Sequence, residues 1–297
     1  MNKYLIFRTD RIGDFLLTAI LVKSIKRNDP NSYIKIIASE KNFNYIKSFK
    51  IIDEVFLLKK GILNKFRLIN SLKKDFFKAI IIHDDKKRSN FISFFLKANI
   101  KISPNSNSNI SYFSIINNIL NKLNFDFENS DLSTLSNRSY SKLNGLNKNY
   151  ILFHFDEKWI HKEYISSYIN IEPMENELVS FFNSVVNKTN KDLVVTTGLI
   201  CPKILDKIFA NNFNTKVSFF KNLDFLQIEK IIDNCDLLIS CHGAVSHVAT
   251  AKNIRQIDVI DESKSNFYKK WTAHFRNYKS IHRKNFNLLN REIINML

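Results

Sequence analysis

The stretch KYLIFRTDRIGDFLL, residues 3–17, decides the fold of this chain. An apolar run of strand type ends after Phe7 in a polar turn, which contains Gly13, and an apolar-periodic segment follows. Strand, glycine-containing loop and helix make up the first unit of an α/β sheet. Such sheets bind ligands at the carboxyl ends of their strands. The stretch therefore predicts a ligand-binding loop between a first strand and a first helix.

Asp14 falls at or just inside the start of that predicted helix. A carboxylate there is favoured by the unpaired backbone amides and by the positive end of the helix dipole. The sequence allows two interpretations of Asp14, as a residue that only starts the helix or as a functional carboxylate of the loop. The choice between them depends on the rest of the chain.

The remaining sequence continues this pattern and then restarts it. Residues 103–149 are polar and rich in Ser and Asn, which predicts an interdomain region. On either side, helices alternate with predicted strands at 33–38, 54–58, 79–83, 100–102, 150–154, 192–198, 217–219, 236–240 and, as the last strand, 256–260. Helices are predicted, among other places, at 63–76, 89–97, 246–252 and 285–297.

We therefore predict an α/β protein of two Rossmann-like domains, residues 1–145 and 146–297, with a ligand cleft between the carboxyl edges of their sheets. Whether the terminal helix packs on its own domain or back on the first is left open by the sequence.

Composition limits the possible partners and the compartment. The formal net charge is +17, from 45 Lys and Arg against 28 Asp and Glu, which suits phosphorylated ligands, acidic membrane surfaces or nucleic acid. The lysines are scattered, so a generally basic, solvated surface explains the charge as well. The three cysteines are widely spaced and contain no CxxC pair, which argues against disulfides and thiolate metal sites. With no signal peptide or membrane-spanning segment predicted, we expect a cytoplasmic protein that can touch the inner face of the membrane.

A second informative stretch is ISCHGAVSHVA, residues 239–249. The small residues Gly243, Ala244 and Ser246 would let a ligand approach a helix start, whose free N–H groups suit phosphate. Ser246 is equally plausible as the N-cap of that helix. His247, in the first turn, could contact a phosphate or a sugar hydroxyl, or could be structural. Cys241, His242 and His247 lack the carboxylate or thiol cluster that a metal site needs.

Other loops add one candidate and several exclusions. Lys158, in the FDEKW segment after the strand at 150–154, is placed to contact a diphosphate, although an ordinary exposed loop is the alternative. The pair Asp84 and Asp85 could suggest a metal site, but a solvated loop explains it more simply. No GxGxxG, GxxxxGK[ST] or GxSxG motif is present, so dinucleotide, P-loop and serine-hydrolase functions lose their main support.

The RIGD segment, residues 11–14, resembles the R-[IL]-G-D opening of the lipopolysaccharide heptosyltransferase-like glycosyltransferases, glycosyltransferase family 9. Residues 239–249 resemble, without a gap, the late motif of that family, usually written like S-N-D-S-G-P-M-H-L-A. The resemblance implies a GT-B fold and an inverting transfer that needs no metal and no cofactor. It also implies a nucleotide-sugar donor such as ADP-heptose, held mainly by the C-terminal domain, and an acceptor bound by the N-terminal domain.

Carried over by position, the resemblance implies that Asp14 is the general base, that Lys158 contacts phosphate and that His247 lies near the donor. Three positions depart from the family. His242 replaces the usual aspartate, Ala244 stands at a glycine, and no acidic residue follows Gly198. Because these positions serve the donor in relatives, the identity of the transferred sugar stays open.

The sequence thus predicts a glycosyltransferase that moves heptose or a similar sugar to a saccharide of lipopolysaccharide or another surface glycan. Arg8 and Arg11 are expected to bind an anionic saccharide or glycolipid acceptor, or else to pair with Asp10 or Asp14. Alternatives are a CMP- or UDP-sugar donor, a non-catalytic relative, and a basic polyanion-binding protein. Nucleic acid is not expected, because no RNA-binding motif or helix-turn-helix is recognisable.

Overall fold

The computed structural model describes residues 1–104, 110–135, 149–160, 173–210 and 214–297. The chain divides into two compact units. The first comprises Met1–Thr134 with Lys269–His274, and the second comprises Leu135–Tyr268 with Phe275–Leu297. The predicted domain boundary at 145/146 lies outside the described residues. Among the helices of the described ranges, none is both long and apolar enough to cross a membrane.

The first unit is built on a five-stranded parallel sheet with the strand order β3-β2-β1-β4-β5. The strand order reverses between β1 and β4, which lie side by side with Leu5 opposite Ile80 and Phe7 opposite Ile82. The loops that leave these two strands are therefore neighbours at a topological switch point, where open α/β sheets bind ligands. The strands are β1 Lys3–Arg8, β2 Tyr33–Ala38, β3 Glu54–Leu57, β4 Phe76–Ile82 and β5 Lys97–Ile102.

Helices connect these strands and cover the sheet. They are α1 Ile12–Asn28, α2 Phe43–Lys47, α3 Ile62–Leu72, α4 Lys87–Phe94 and α5 Tyr112–Lys122. Two predicted boundaries are wrong for the same reason, because β-strands claim residues assigned to helices. The predicted helix 63–76 ends at Leu72 since Phe76 begins β4, and the predicted helix 89–97 ends at Phe94 since Lys97 begins β5.

The second unit is built on a six-stranded parallel sheet with the order β11-β10-β9-β6-β7-β8. This is the doubly wound order of a Rossmann sheet, with its switch point between β6 and β9. Phe153 and Ile239 face each other at this junction, and both are fully buried. The strands are β6 Tyr150–His154, β7 Leu193–Thr196, β8 Val217–Phe220, β9 Cys235–Cys241, β10 Arg255–Ile260 and β11 Tyr278–His282.

The helices of the second unit are α6 Glu175–Thr189, α7 Lys203–Phe209, α8 Phe225–Ile232, α9 Ala244–Ala251, α10 Ser265–Thr272, whose last residues count with the first unit, and α11 Phe286–Met296. The C-terminal helix α11 packs against α6 and buries Leu289 and Ile293 in the core of this unit. The terminal helix therefore packs on its own unit, which the sequence had left open.

Two elements escaped the sequence analysis. The strand at 256–260 is not the last, because β11 follows it at the sheet edge with three of its five residues exposed. Its sequence, YKSIH, contains one aliphatic residue and therefore carries little apolar signal. Helix α10 buries none of its residues, and its sequence, SNFYKKWT, contains no aliphatic residue, so the helix was not predicted. The prediction of two parallel α/β units is confirmed.

Candidate functional site

Candidate residues of the first unit gather in the loops that follow β1 and β4. We call Arg8–Asp14 together with His83–Arg88 the N-terminal half-site. The two loops leave neighbouring strands at the switch point. Residues 75 positions apart in sequence are therefore joined by a hydrogen bond from the Thr9 hydroxyl to the Asp84 carboxylate. The sequence analysis found the first loop and undervalued the second.

Asp14 is the third residue of α1, after the N-cap Arg11. Its Oδ2 accepts a hydrogen bond from the backbone N–H of Arg11 at 2.9 Å, so the helix-start role of Asp14 is real. Burial raises the pKa of the Asp14 carboxyl above its ordinary value, although Arg8 and the Arg11 bond oppose that shift. A carboxylate that is partly desolvated is also a stronger base than an ordinary aspartate.

The two arginines of the RIGD loop have different surroundings. Arg8 is buried, donates from Nε to Thr18 Oγ1 at 2.7 Å, and pairs with Asp10 at 3.1 Å. These contacts favour the salt-bridge alternative for Arg8 over acceptor binding. Arg11 is exposed and joins no ion pair among the described residues, which leaves its guanidinium accessible to a ligand. Gly13 is half-buried at the second position of α1, beside Asp14.

The loop after β4 is more than a solvated turn. Asp84 is buried and accepts hydrogen bonds from the hydroxyls of Thr9 and of Ser89, the latter at 2.8 Å. The expectation of a solvated acidic pair is therefore wrong for Asp84, whereas Asp85 is exposed and adopts a positive φ of 47°. The polar residues of this loop lock the two half-site loops together.

Two cations of the same loop also reach the first one. Lys86 Nζ pairs with the carboxylate of Asp10, and Arg88 Nη2 donates to Thr9 Oγ1 at 2.6 Å. The sequence analysis missed both residues. The signal that could have found them is the polar DDKKR run directly after a strand that is buried on both faces.

Candidate residues of the second unit gather in the loops that follow β6 and β9. We call His154–Lys158 together with Cys241–His247 the C-terminal half-site. These strands also lie side by side at a switch point, so the two motifs found separately in the sequence belong to one site.

Lys158 stands in a structured 3-10 turn, Glu157–Trp159, rather than in an ordinary exposed loop. Its Nζ pairs with the carboxylate of Asp156, which is buried, and its backbone N–H donates to Asp156 Oδ1 at 3.1 Å. Burial alone would raise the pKa of Asp156, but Lys158 and His154 outweigh it and hold that pKa below its ordinary value. Burial likewise opposes the charge of Lys158, and Asp156 outweighs it to raise the lysine pKa.

Gly243 brings the second loop close to this lysine. A Cβ built on Gly243 would lie only 2.8 Å from Lys158 Nζ, so a larger residue there requires the lysine to move. The backbone of Gly243 is extended, and close approach rather than conformational freedom explains the glycine. Gly243 is the N-cap of α9, which places Lys158 beside a helix N-terminus with unpaired N–H groups.

The predicted role of Ser246 as the N-cap is wrong. The helix begins two residues earlier, at Ala244, and Ser246 is its third residue. Its Oγ accepts a hydrogen bond from the Gly243 N–H at 3.2 Å and donates to Asp258 Oδ1 at 2.8 Å. Ser246 thus fixes the glycine turn from inside the helix.

Asp258, on β10, is the main residue that the sequence analysis missed. It is fully buried and is contacted by Ser240 Oγ at 3.0 Å, Ser246 Oγ at 2.8 Å and His242 Nδ1 at 2.8 Å. His242 Nε2 has no hydrogen-bond partner within the described ranges. An aspartate between Ile257 and Val259, in the buried part of β10, was the available signal, since a buried charge needs partners.

His247 is buried, and its ring packs edge-on against Phe275 at 5.0 Å between centroids and lies 5.7 Å from His242. This packing suits a structural role for His247 as much as a ligand contact. Ala244 is half-buried at the first position of α9. In the part of the chain that the structure describes, no group of three or more His, Cys, Asp or Glu could hold a metal ion.

The fold is similar to that of solved nucleotide-sugar enzymes. Escherichia coli heptosyltransferase WaaC with ADP superposes with a TM-score of 0.71 at 12% identity, over 99% of this chain and 100% of that one. A glycosyl transferase family 9 protein from Veillonella parvula gives a TM-score of 0.68 at 13% identity, over 99% of this chain and 91% of that one. A putative UDP-N-acetylglucosamine 2-epimerase from Listeria monocytogenes gives a TM-score of 0.62 at 14% identity, over 99% of this chain and 87% of that one.

No protein-family model matches the chain, and no curated protein sequence does. At these identities the structural likeness establishes the fold, which is the two-domain GT-B fold that the RIGD and late motifs suggested. The likeness to the heptosyltransferase-like fold extends over the whole length of the chain, so the resemblance read from two short motifs is confirmed at the level of fold.

Proposed function

We propose that this protein is an inverting, metal-independent glycosyltransferase. It would move heptose or a similar sugar from a nucleotide-sugar donor to a saccharide acceptor of lipopolysaccharide or of another surface glycan. The observation that carries the proposal is the pairing of motif with topology. In each unit the family-like motif lies at the switch point of the sheet, with a carboxylate in one and a lysine beside a helix N-terminus in the other.

We assign base catalysis to the N-terminal half-site. The acceptor hydroxyl would lose its proton to Asp14 as its oxygen attacks the anomeric carbon of the donor. Burial that raises the pKa of Asp14 supports this role, because proton transfer is most effective when the pKa of the base lies near the working pH. The exposed guanidinium of Arg11 would bind an anionic group of the acceptor.

We assign stabilisation of the leaving group to the C-terminal half-site. The departing nucleoside diphosphate gains negative charge as the glycosidic bond breaks, and Lys158 with the free N–H groups at the start of α9 would receive it. Asp156 keeps the lysine charged and limits its motion. His242, oriented by Asp258, would present Nε2 to the donor.

The donor is the least constrained part of the proposal. ADP-heptose is the first candidate, because the motifs resemble those of heptosyltransferases and because a solved heptosyltransferase of this fold is bound to ADP. CMP- and UDP-sugars are the alternative, since His242 stands where the resembled family has an aspartate. A cytoplasmic location, with contact to the inner face of the membrane, belongs to the same proposal.

A donor panel tests the function. We would measure thermal shifts with ADP-, UDP- and CMP-linked sugars, and then nucleotide release with each stabilising donor and a Kdo-bearing saccharide acceptor, in the presence of EDTA. The proposal expects acceptor-dependent release of one nucleoside phosphate and inversion at the anomeric carbon. Donor binding without turnover on any acceptor would instead support a non-catalytic relative, and salt-sensitive DNA binding without donor binding would support a polyanion-binding protein.

A further inference from the structure

Four phenylalanine rings lie together on the outer side of α3 and α4 in the first unit. Phe66, on α3, lies 6.3 Å from Phe91 and 6.4 Å from Phe95, and Phe94 lies 5.3 Å from Phe95. The exposed fractions are 45% for Phe66, 37% for Phe91, 77% for Phe94 and 44% for Phe95. We call these four residues, with the exposed Ile62 and Leu63, the aromatic surface.

The fold itself does not need this apolar face. Helix α3 buries Leu68, Ile69 and Leu72 in the core of the unit. Ile62, Leu63 and Phe66 lie in the first half of the same helix and stay exposed, Ile62 at 54% and Leu63 at 70%. A contiguous patch of exposed large apolar side chains is rare on a soluble domain and marks a contact surface.

The charge around the aromatic surface has one sign. No acidic residue occurs in residues 55–74 or 86–125, which include both helices. Lys65 and Arg67 lie on α3 itself, and Lys65 Nζ is 5.8 Å from the centre of the Phe91 ring. Further cations flank the two helices at Lys59, Lys60, Lys73, Lys74, Lys87 and Lys97.

This combination fits a particular partner. Aromatic rings settle at the boundary between headgroups and acyl chains, while lysine and arginine stems reach from there to anionic headgroups. Each cation near an anionic leaflet adds to the attraction, and an apolar group buried in the boundary adds more. A protein partner would have to match six exposed apolar side chains and also supply all of the negative charge.

We propose that the aromatic surface docks the protein on a bilayer that contains anionic lipids. The surface and the N-terminal half-site share α4. The first turn of this helix reaches Thr9 through Arg88, and its last turn carries Phe94, about 9 Å further along the helix axis. Docking through Phe94 would hold the N-terminal half-site close to the headgroups. The binding itself does not depend on the proposed glycosyl transfer.

Co-sedimentation with vesicles tests the docking in the absence of any donor or acceptor. One vesicle type is pure phosphatidylcholine, and the other contains one part phosphatidylglycerol to three parts phosphatidylcholine. We expect binding to the anionic vesicles, weakened about tenfold by Phe94→Asp and about tenfold by Lys65→Glu with Arg67→Glu. The matched controls are Leu288→Asp, another exposed apolar residue, and Lys188→Glu with Lys207→Glu, which remove the same charge from the second unit.

The controls separate the surface from general charge. If Lys188→Glu with Lys207→Glu weakens binding as much as the pair on α3, the net charge rather than the aromatic surface binds the vesicles, and the proposal fails. Absence of vesicle binding overturns it as well, and a wild-type dimer that Phe94→Asp dissociates would assign the face to a second copy. Transfer to a water-soluble acceptor, if observed, should be unchanged by Phe94→Asp, so this test and that of the proposed function fail independently.

Discussion

Asp258 holds the imidazole of His242 through Oδ2, which accepts a hydrogen bond of 2.8 Å from Nδ1, and its Oδ1 accepts from the hydroxyls of Ser240 and Ser246. The carboxylate is completely buried, so it cannot reach a ligand itself. It acts on the histidine, whose tautomer and ring orientation it fixes. His242 thus replaces the aspartate of the resembled family, and a buried carboxylate, that of Asp258, is hydrogen-bonded to this histidine.

Two replacements of Asp258 should separate its effect on the orientation of His242 from its effect on the stability of the protein. Asp258→Ala leaves three side chains without their shared acceptor and should lower the free energy of unfolding by about 3 kcal/mol. Asp258→Asn keeps the shape, should cost about 1 kcal/mol, and should still weaken donor binding about tenfold, because an amide cannot fix the imidazole in the same way. Urea unfolding and donor titration of both variants measure the two effects. Unchanged donor affinity in Asp258→Asn would contradict the orienting role.

Asp14→Asn tests the base. The amide still fits the helix start, so we expect the free energy of unfolding to fall by only about 0.5 kcal/mol, the loss of a charge near a helix N-terminus. The rate of transfer should fall by about a hundredfold or more, with donor affinity unchanged. The matched control is Asp224→Asn, which alters the N-cap of α8 and should leave transfer unaffected. Full activity in Asp14→Asn would rule out base catalysis by this residue.

The pH dependence of transfer provides an independent test. Asp14 must be ionised to accept a proton, and burial raises its pKa, so activity should be lost on acidification at a pH above the ordinary aspartate value of 3.8. Lys86 lowers the pKa of Asp14, and Lys86→Met should therefore move this acidic limb to higher pH. Lys87→Met, at the next residue, should not move it. The expected order is read from rate profiles of the three proteins.

Gly243→Ala tests the close approach to Lys158. The extended backbone accepts alanine without strain, so we expect a melting temperature within about 3 °C of the wild type. The new Cβ would lie 2.8 Å from Lys158 Nζ and displace the ammonium, which should weaken nucleoside diphosphate binding about tenfold. Gly198→Ala is the control, because its Cβ would meet Glu157 Oε2 at an ordinary 3.7 Å. If the two variants bind the nucleoside diphosphate with equal affinity, Lys158 does not contact the phosphates.

The buried pair of Asp156 and Lys158 should make stability depend on pH. The folded protein holds the pKa of Asp156 below its ordinary 3.8, so its contribution is complete above that pH and is lost as the pH falls toward the depressed value. Asp156→Asn should be about 3 kcal/mol less stable at neutral pH, and the difference should narrow below pH 3.8. Asp236→Asn, which breaks the more exposed pair with Lys191, should cost less than about 1 kcal/mol.

Sequence periodicity was sufficient to predict the parallel architecture. The buried strands β4 and β9 contain the apolar runs 79–82 and 237–239, and the polar turns that follow these strands mark the sheet edge. The edge strand β11 and the helix α10 were missed because the two elements together contain only one aliphatic residue, Ile281. Their positions follow from the rest of the sheet rather than from their own residues.

The candidate sites were predictable only as motifs. The sequence indicated Asp14, Lys158 and Gly243, but it could not show that two distant loops meet in each unit. The partners Asp84 and Asp258 were therefore undervalued or missed, since their roles depend on strand neighbours far away in the chain. Arg8 was overvalued, because only the structure shows its guanidinium occupied by Thr18 and Asp10.

The most direct test is transfer by the wild type and by Asp14→Asn in the presence of EDTA, with the anomeric configuration of the product determined by NMR. ADP-heptose is the first donor, followed by the UDP- and CMP-sugars. We expect an inverted glycoside from the wild type with one of these donors, and a rate of transfer at least about a hundredfold lower for Asp14→Asn. A retained configuration, dependence on added metal, or equal rates for the two proteins would contradict it.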